Sequence, residues 1–329
     1  MSMIPTLTDQ QVLVTGATGF LGGALTLRLA ADGVRVRALA RSPHKAQFLR
    51  ERGIEVFEGD VTDHAAMRQA VQGCRVVFHV AAALGSSYAQ SHAVNVEGTR
   101  NVVQAAALAN VERFVHISSI SVYGYNYRGD VTEEMTPAPG ADPYAITKNN
   151  AERVVREGDM IYTMIRPGMI YGPGAVNWIG NLFKVARLNP TPFVGKGLGS
   201  AFAIHVDDVV DLLVTAATHP AAVGQVFNCA PDPSPTWREY LGRLSLLAGH
   251  DNWLAIPPAL IYPIAGIVML VSPPYTMGRD LPDQVGFLTR EITYKMAKAR
   301  DLLGWTPKID LDTGIASCVP WLREQGLLT

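Results

Sequence analysis

The chain has 329 residues, of which 48% are apolar and 17% charged, and a formal net charge of −1 at pH 7. That length suits two closely packed lobes around a large core, and the near-neutral balance offers no basic surface for nucleic acid. Three scattered cysteines (Cys74, Cys229, Cys318) give neither a disulfide framework nor metal-ligand spacing, and "MSMIPTLTDQ" has no signal-peptide pattern, so a cytoplasmic protein without a metal is expected.

The first half alternates β-branched runs with amphipathic stretches. Strands are expected at "QVLVT" (11–15), "VRVRAL" (34–39), "IEVFEGD" (54–60), "RVVFHVAA" (75–82), "RFVHISS" (113–119) and "YTMIRP" (162–167). Helices are expected at 19–31, after Pro43, at 95–110 and at 144–157. Apolar strands alternating with helices imply a parallel sheet covered on both faces, an α/β, Rossmann-type doubly wound fold. Beyond residue 168 the elements shorten and Gly and Pro become frequent. The division drawn is a nucleotide-binding domain over 1–168 and a smaller substrate-binding lobe over 169–329. Strands near 201–206 and 225–230 are expected to return to the first domain's sheet.

One segment stands apart. From Asn252 to Gly278 there is no charged side chain. Pro257, Pro258 and Pro263 leave too few clean helical positions for the about 20 apolar residues that a membrane span needs. A lobe helix lining an apolar pocket is the favoured expectation, and membrane contact is the alternative.

In "LVTGATGFLGG" (13–23), Gly16, Gly19 and Gly22 stand between a predicted strand and a predicted helix. In that context glycines permit a sharp bend, a close approach of pyrophosphate to backbone, and tight helix–strand packing. The helix N-terminus then presents unpaired N–H groups to phosphate. The competing explanation is an ordinary βα turn whose glycines serve geometry alone.

With "TGATGFLG" the sequence resembles the extended, epimerase/dehydratase-type branch of the short-chain dehydrogenase/reductase superfamily. Further matches follow in the family's order: "GDVTD" (59–63), "NVEGTRNVVQAA" (95–106), "SSISVYG" (118–124), "PYAITKNNAE" (143–152), "IRPGMIYGPG" (165–174), "IHVDDVV" (204–210) and "KARDLLGWTPKIDLDTGI" (298–315). The tail is nearest to the hydroxysteroid dehydrogenase and ketone or aldehyde reductase group. The resemblance implies cofactor contacts from Gly16, Thr18, Gly19, Phe20, Leu21 and Gly22. It implies others from Asp60 and Val61 beside the adenine, from Ala81, Ala82 and Ala83 beneath the dinucleotide, and from Ser118, Pro167 and Gly168. It also implies a homodimer pairing the helices at 95–110 and 144–157, and an Asn95 that organises the loop under the site. At the end of the second strand, where a carboxylate would select NAD, the chain has Ala40 followed by Arg41, with Arg37 and Lys45 adding charge. This predicts NADP(H) over NAD.

Tyr144 and Lys148, four apart on one helix, share a face. A tyrosine with a pKa of about 10 needs a nearby cation to act as acid or base at neutral pH. Ser119 matches the family's catalytic serine. The catalytic set is therefore Ser119, Tyr144 and Lys148, with Tyr144 and Lys148 also reaching the cofactor. His79, His116 and His205 are read as satisfied core histidines, and Asp207 and Asp208 as a helix cap and structural contacts.

For the substrate, Met169 stands where sugar-nucleotide enzymes typically carry asparagine, and the run before His205 has no arginine. The pocket walls assigned are Leu84, Tyr88, Tyr125, Tyr127, Met169 and Trp178, which suit a small apolar alcohol, ketone or aldehyde better than a diphosphate. The alternatives are a sugar-nucleotide epimerase or dehydratase, with Glu133 and Glu134 as nearby loop acids, and a non-catalytic dinucleotide sensor, which would not need the Ser119–Tyr144–Lys148 set.

Overall fold

The protein is described from a computed structural model over residues 6–84, 87–273 and 277–328. Its centre is a seven-stranded parallel sheet, built largely from the β-branched runs. In chain order these strands are β1 (Gln11–Thr15), β2 (Arg35–Ala40), β3 (Glu55–Glu58), β4 (Val76–His79) and β5 (Arg113–Ile117). A short β6 (Gly129–Val131) lies outside the sheet, and β7 (Tyr162–Pro167) rejoins it. The second half contributes β8 (Met169–Tyr171), β9 (Thr191–Val194), β10 (Ala203–His205), β11 (Val226–Cys229), β12 (Trp253–Ile256) and β13 (Ile292–Tyr294). The order across the sheet is β11-β7-β5-β4-β1-β2-β3. Strand order reverses between β1 and β4, which makes their carboxyl ends the topological switch point of the sheet. Such switch points are where doubly wound sheets bind ligands.

Helices cover both faces. On one, α1 (Phe20–Ala31) places Leu21, Leu25 and Leu29 in the same core as Leu49 of α2 (Gln47–Arg50), Val14 and Val36. On the other, α3 (His64–Ala70), α5 (Gly98–Leu108) and α6 (Pro143–Glu157) share a core with Leu13, Val77 and Phe114. A short α4 (Tyr88–His92) runs through a π-helical turn into α5. The opposite pointing of Leu13 and Val14 is strand alternation at work.

The second lobe contains α7 (Leu182–Ala186), α9 (Trp237–Leu247), α13 (Leu311–Ser317) and α14 (Val319–Glu324), which close on a core of Phe183, Tyr240, Leu244, Ile315 and Leu322. Between α7 and α9, α8 (Val206–Thr218) packs back against α1 with Val209, Val210 and Leu213. The remaining helices are α10 (Pro258–Val271), α11 (Leu281–Phe287) and α12 (Ala297–Leu303).

Two expectations need correction. Of the stretches expected to return to the main sheet, 225–230 does so as β11 beside β7, but 201–206 does not. It forms β10, which pairs with β8 in a separate two-stranded sheet. Gly168 permits this close pairing, since a side chain there would collide with the Phe202 carbonyl. The chain turns off the sheet there and meets β10 backbone to backbone. The charge-free segment is not a buried helix lining a pocket either. Within it lie β12 and α10, of which only Ala265 of the helix is buried, while 274–276 fall outside the described residues. No helix among the described residues is long and apolar enough to cross a membrane.

Candidate active site

The glycine turn joins β1 to α1 at the switch point. Gly16 has φ +70°, and a Cβ there would lie 2.8 Å from the Ala81 nitrogen at the end of β4. A Cβ on Gly22 would collide with the Gly16 carbonyl. Any side chain at either position would fill the turn. No side chain caps α1, whose N-cap is Gly19, so its first N–H groups remain available to an anion. Thr18 and Phe20 are half-buried at this rim, and Phe20 lies against Gly174 beyond β8. Leu21 points into the core, so its contribution to a ligand is its backbone. This cradle, shaped by the absence of two Cβ atoms and opened by an uncapped helix, fits a dinucleotide pyrophosphate.

At the carboxyl end of β2, Ala40 is buried and the Arg41 side chain is 70% exposed, its Nη1 3.7 Å from Asp60 Oδ2. Asp60 also accepts from the Thr62 nitrogen and hydroxyl, both at 2.9 Å. Val61 is buried against Gly98, and its carbonyl accepts from Asn101. Lys45 is exposed. Arg37, read as a nearby charge, is committed elsewhere: it pairs with Glu55 at 2.6 Å and donates to the Ala70 and Gln72 carbonyls. Of these groups, Arg41 is the open guanidinium at the strand end.

Beneath the crevice runs a buried hydrogen-bonded chain. Thr15 Oγ1 accepts from the Val80 and Ala81 nitrogens, both at 3.1 Å, and meets His79 Nδ1 at 2.9 Å. His79 Nε2 meets Thr99 Oγ1 at 2.9 Å, and Thr99 donates to the Asn95 carbonyl at 2.6 Å. The Asn95 side chain accepts from the Ala83 nitrogen at 2.7 Å and donates to the Ala83 carbonyl and to Thr147 Oγ1. Ala81 to Ala83 are thus pinned from below.

The three residues assigned to catalysis from the sequence lie where β5 ends and α6 begins. Ser119 follows β5 as the N-cap of a short 3₁₀ turn, its hydroxyl accepting from the Ser121 nitrogen, and it hydrogen-bonds Tyr144. Asp142 caps α6 by accepting from the Tyr144 nitrogen at 3.0 Å, and Pro143 occupies the first helical position. One turn on, Lys148 is 2% exposed and its Nζ donates to the Ile117 carbonyl. Burial pushes the Tyr144 phenol up to about 12, opposed by the Ser119 hydrogen bond. Burial also pulls the Lys148 ammonium down to about 8, opposed by Glu152.

Behind them stands a network that the sequence reading missed. Arg166 and Glu152, 1% and 2% exposed, form a two-pronged ion pair at 2.8 and 2.7 Å. Arg166 also donates to Tyr123 Oη at 2.7 Å, and Tyr123 donates to Asn228 Oδ1 at 2.8 Å. Ser118 is buried beside Glu152, whose carboxyl Arg166 helps hold below its ordinary range against burial. An arginine inside the apolar run "YTMIRPGMIY" was the available signal, because a buried charge requires a partner.

The histidine reading divides. His79 is satisfied on both nitrogens, and His205 contacts Ser317 and the Asp207 nitrogen. His116 is different: neither ring nitrogen has a partner, although the ring is buried and stacked on His79 at 5.5 Å. Its pKa is held well below normal by burial first, and further by the Lys148 charge and by His79. The cap of α8 is the His205 ring, not a carboxylate. Asp208 instead accepts from the Lys308 and Ile309 nitrogens, tying the C-terminal segment down.

Among the wall residues, Tyr125 donates to Asp142 at 3.3 Å and packs edge-on against Phe287 at 5.4 Å. Leu84 and Trp178 are exposed at 65% and 41%. Tyr88 is half-buried at the start of α4. Met169 is buried in the second lobe's core. Tyr127 turns to the Tyr123 cluster, its hydroxyl on the Thr136 carbonyl, and does not join Tyr125. Pro167 ends β7, and the Gly168 nitrogen donates to the Cys229 carbonyl. Arg290, which the sequence did not point to, donates to the Tyr125 carbonyl.

A doubly wound sheet with a glycine cradle at its switch point and a Ser–Tyr–Lys set beside it defines a dinucleotide-dependent enzyme of the extended short-chain dehydrogenase/reductase type. The sequence model of the NAD dependent epimerase/dehydratase family matches residues 12–230, and the chain belongs to that family. It is 30% identical to the ceramide reductase of Caulobacter vibrioides over 96% of both chains. It is 27% identical to the UDP-glucose 4-epimerase of Vibrio cholerae over 93% of both. The solved structure of MoeE5 in complex with UDP-glucose and NAD superposes with a TM-score of 0.73 at 25% identity, covering 96% of this chain and 99% of that one.

Proposed function

We propose that the protein is an NADP(H)-linked reductase of an apolar ketone or aldehyde. The observation that carries this reading is the joining of Ser119, Tyr144 and Lys148 at the mouth of the switch-point crevice, against the wall of Tyr125 and Phe287. A dinucleotide held by the Gly16–Gly22 turn and Arg41 would supply the hydride. The chain's own residues position and protonate. Ser119 holds the carbonyl oxygen by its hydroxyl. Tyr144, whose phenol is protonated in the free protein, donates its proton to that oxygen as negative charge develops there. Lys148 stays cationic up to about pH 8 and stabilises the phenolate left behind. Arg41 would pair with a 2′-phosphate, and the N–H groups of the Gly16–Gly22 turn with the pyrophosphate.

A sugar-nucleotide epimerase is the second reading. It is favoured by Arg290, a cation on the Tyr125 wall, and by the likeness to MoeE5, solved with UDP-glucose. Against a dehydratase stands Glu133, whose carboxylate is committed to the Asn228 nitrogen at 2.8 Å. Oxidation of NADPH and NADH followed with a series of ketones and aldehydes, in parallel with UDP- and GDP-sugar conversion, tests the choice. Turnover rising with substrate size, fastest with NADPH, supports the reductase. Micromolar binding and conversion of a nucleotide sugar with a flat ketone series puts the epimerase first.

A further inference from the structure

The outward side of α10 reverses the pattern expected of a surface helix. Leu260, Ile264, Ile267 and Val271 recur at helical spacing on one face and are 63–76% exposed, with Leu270 beside them. A solvent-facing helix normally shows polar residues there. Trp253 and Leu254 of β12, the strand that precedes α10, are exposed as well. Basic groups border it. Lys196 is exposed in the turn whose neighbour, Gly195, abuts Pro258 at the start of α10. Arg279 is exposed beyond the other end, and Arg238 stacks on Trp253 at 3.9 Å. Acids stand near them too: Glu239 and Asp251 line the same hollow as Arg238 and Trp253, and Asp283 is in the first turn of α11, which leaves Lys196 and Arg279 as the basic groups at the two ends of α10.

The other side of α10 leads to the catalytic residues. α10 packs on α11, and the Tyr262 hydroxyl lies against Gly286. The next residue, Phe287, meets Tyr125, which bonds to Asp142, the cap that holds the Tyr144 nitrogen. The exposed apolar face is thus the outer surface of the cleft wall.

We propose that this face of α10 is a docking surface for an anionic lipid bilayer, on which the helix lies in the interfacial plane. Fourteen residues make a helix of about 21 Å, short of a hydrocarbon core of about 30 Å, so it rests on the membrane and does not span it. The charge pattern selects a membrane over a second copy of the chain. A two-fold contact running the helices antiparallel would bring Lys196 against Arg279 of the other copy, whereas both find counter-charges among anionic headgroups. That the substrate is itself a bilayer lipid carrying a ketone or aldehyde rests on the reductase reading; the docking surface does not.

The test is flotation of the full chain with vesicles of phosphatidylcholine alone and with about one-third phosphatidylglycerol, for wild type and an Ile264→Glu/Ile267→Glu variant. Light scattering without vesicles and NADPH oxidation with cyclohexanone, a soluble ketone, are measured on both. Wild type is expected to float, more strongly with phosphatidylglycerol. The variant should lose at least about tenfold in bound fraction while turning over cyclohexanone at the wild-type rate. Wild type that stays unbound with both vesicles overturns the proposal, as does a wild-type dimer that the variant converts to monomer. Flotation that responds to the variant, without turnover of any ketone, supports the surface and removes the reductase reading.

Discussion

Lys148→Met separates the cost of a buried cation from the catalytic use proposed for it. The ammonium is 2% exposed, and burial lowers its pKa from 10.5 to about 8. At 1.36 kcal/mol for each pKa unit, holding it charged costs the fold about 3 kcal/mol. Methionine fills similar space without charge, and it forfeits the bond to the Ile117 carbonyl, a loss of about 1–3 kcal/mol. The variant should therefore be as stable as wild type at neutral pH or up to about 2 kcal/mol more stable, while turnover falls at least about a hundredfold. The pH dependence gives the sharper check. Between about pH 8 and 10.5 the unfolded chain keeps this lysine's proton and the folded chain does not, so wild type gains stability with rising pH in that window. Buried groups such as Tyr144 and Cys74, with raised pKa values, act in the opposite direction in both proteins. The difference between the two isolates Lys148. Urea denaturation of each from about pH 7 to 10 should show the difference moving in favour of wild type by about 2.5 kcal/mol. A difference flat across that range, or a variant clearly less stable at pH 7, refutes the account of a buried, depressed lysine.

Tyr144→Phe should bind NADPH as wild type does and lose about two to four orders of magnitude in turnover; fluorescence titration and steady-state kinetics measure the two quantities, and near-normal turnover removes Tyr144 as the acid. Ala40→Asp with Arg41→Ala should invert the preference between NADPH and NADH, because a carboxylate repels the 2′-phosphate and accepts from a ribose hydroxyl; titration of both nucleotides into both proteins decides it, and equal wild-type affinities would make Arg41 an ordinary surface residue. Turnover of wild type in the reducing direction should decline above about pH 8 as Lys148 loses its proton, and a decline that persists at the same pH in a residually active Lys148→Met protein would assign it to another group. Glu152→Gln should destabilise by about 3–5 kcal/mol by stranding Arg166, whereas Glu152→Leu with Arg166→Met should cost less; denaturant midpoints compare them, and equal losses would mean the pair's charges are not what matters.

The sheet and the glycine turn were legible because each rests on a local rule. Apolar β-branched runs alternate with helical periods, and Gly16 and Gly22 mark backbone approaches that admit no Cβ. Tyr144 and Lys148 were legible because helical spacing alone puts them together. What the residues could not disclose depends on partners distant in sequence. Arg37 and Arg41 look alike as neighbouring cations, yet one is bound by Glu55 and two carbonyls across the sheet. His79 and His116 occupy equivalent places on adjacent strands, and only the first faces threonines. The charge-free stretch 252–278 read as interior because apolarity predicts burial. α10 is the case where that inference fails, since composition does not say which side of a lobe a helix covers.

The hydrogen-bonded chain from Thr15 to Asn95 shows how the glycine cradle and the helix carrying Tyr144 and Lys148 are kept in one geometry. Thr15 Oγ1 already accepts two backbone N–H groups, so its own proton goes to His79 Nδ1. That fixes His79 as the tautomer protonated on Nε2, which donates to Thr99, and Thr99 in turn donates to the Asn95 carbonyl. Every donor and acceptor along the path is used once in a consistent direction, and the path works only while His79 is neutral. Burial, aided by the Lys148 charge, lowers His79 to about 3, so no pH at which the fold operates disturbs it. Asn95 then passes the constraint to Ala83 under the dinucleotide crevice and to Thr147 in the turn of α6 between Tyr144 and Lys148. A histidine held neutral keeps the geometry, and the buried Lys148, drawn down to about 8, is the member of the proposed catalytic set that titrates nearest to neutral pH. Position and proton chemistry thereby reside in different residues, although both lie on the path from β1 to α6.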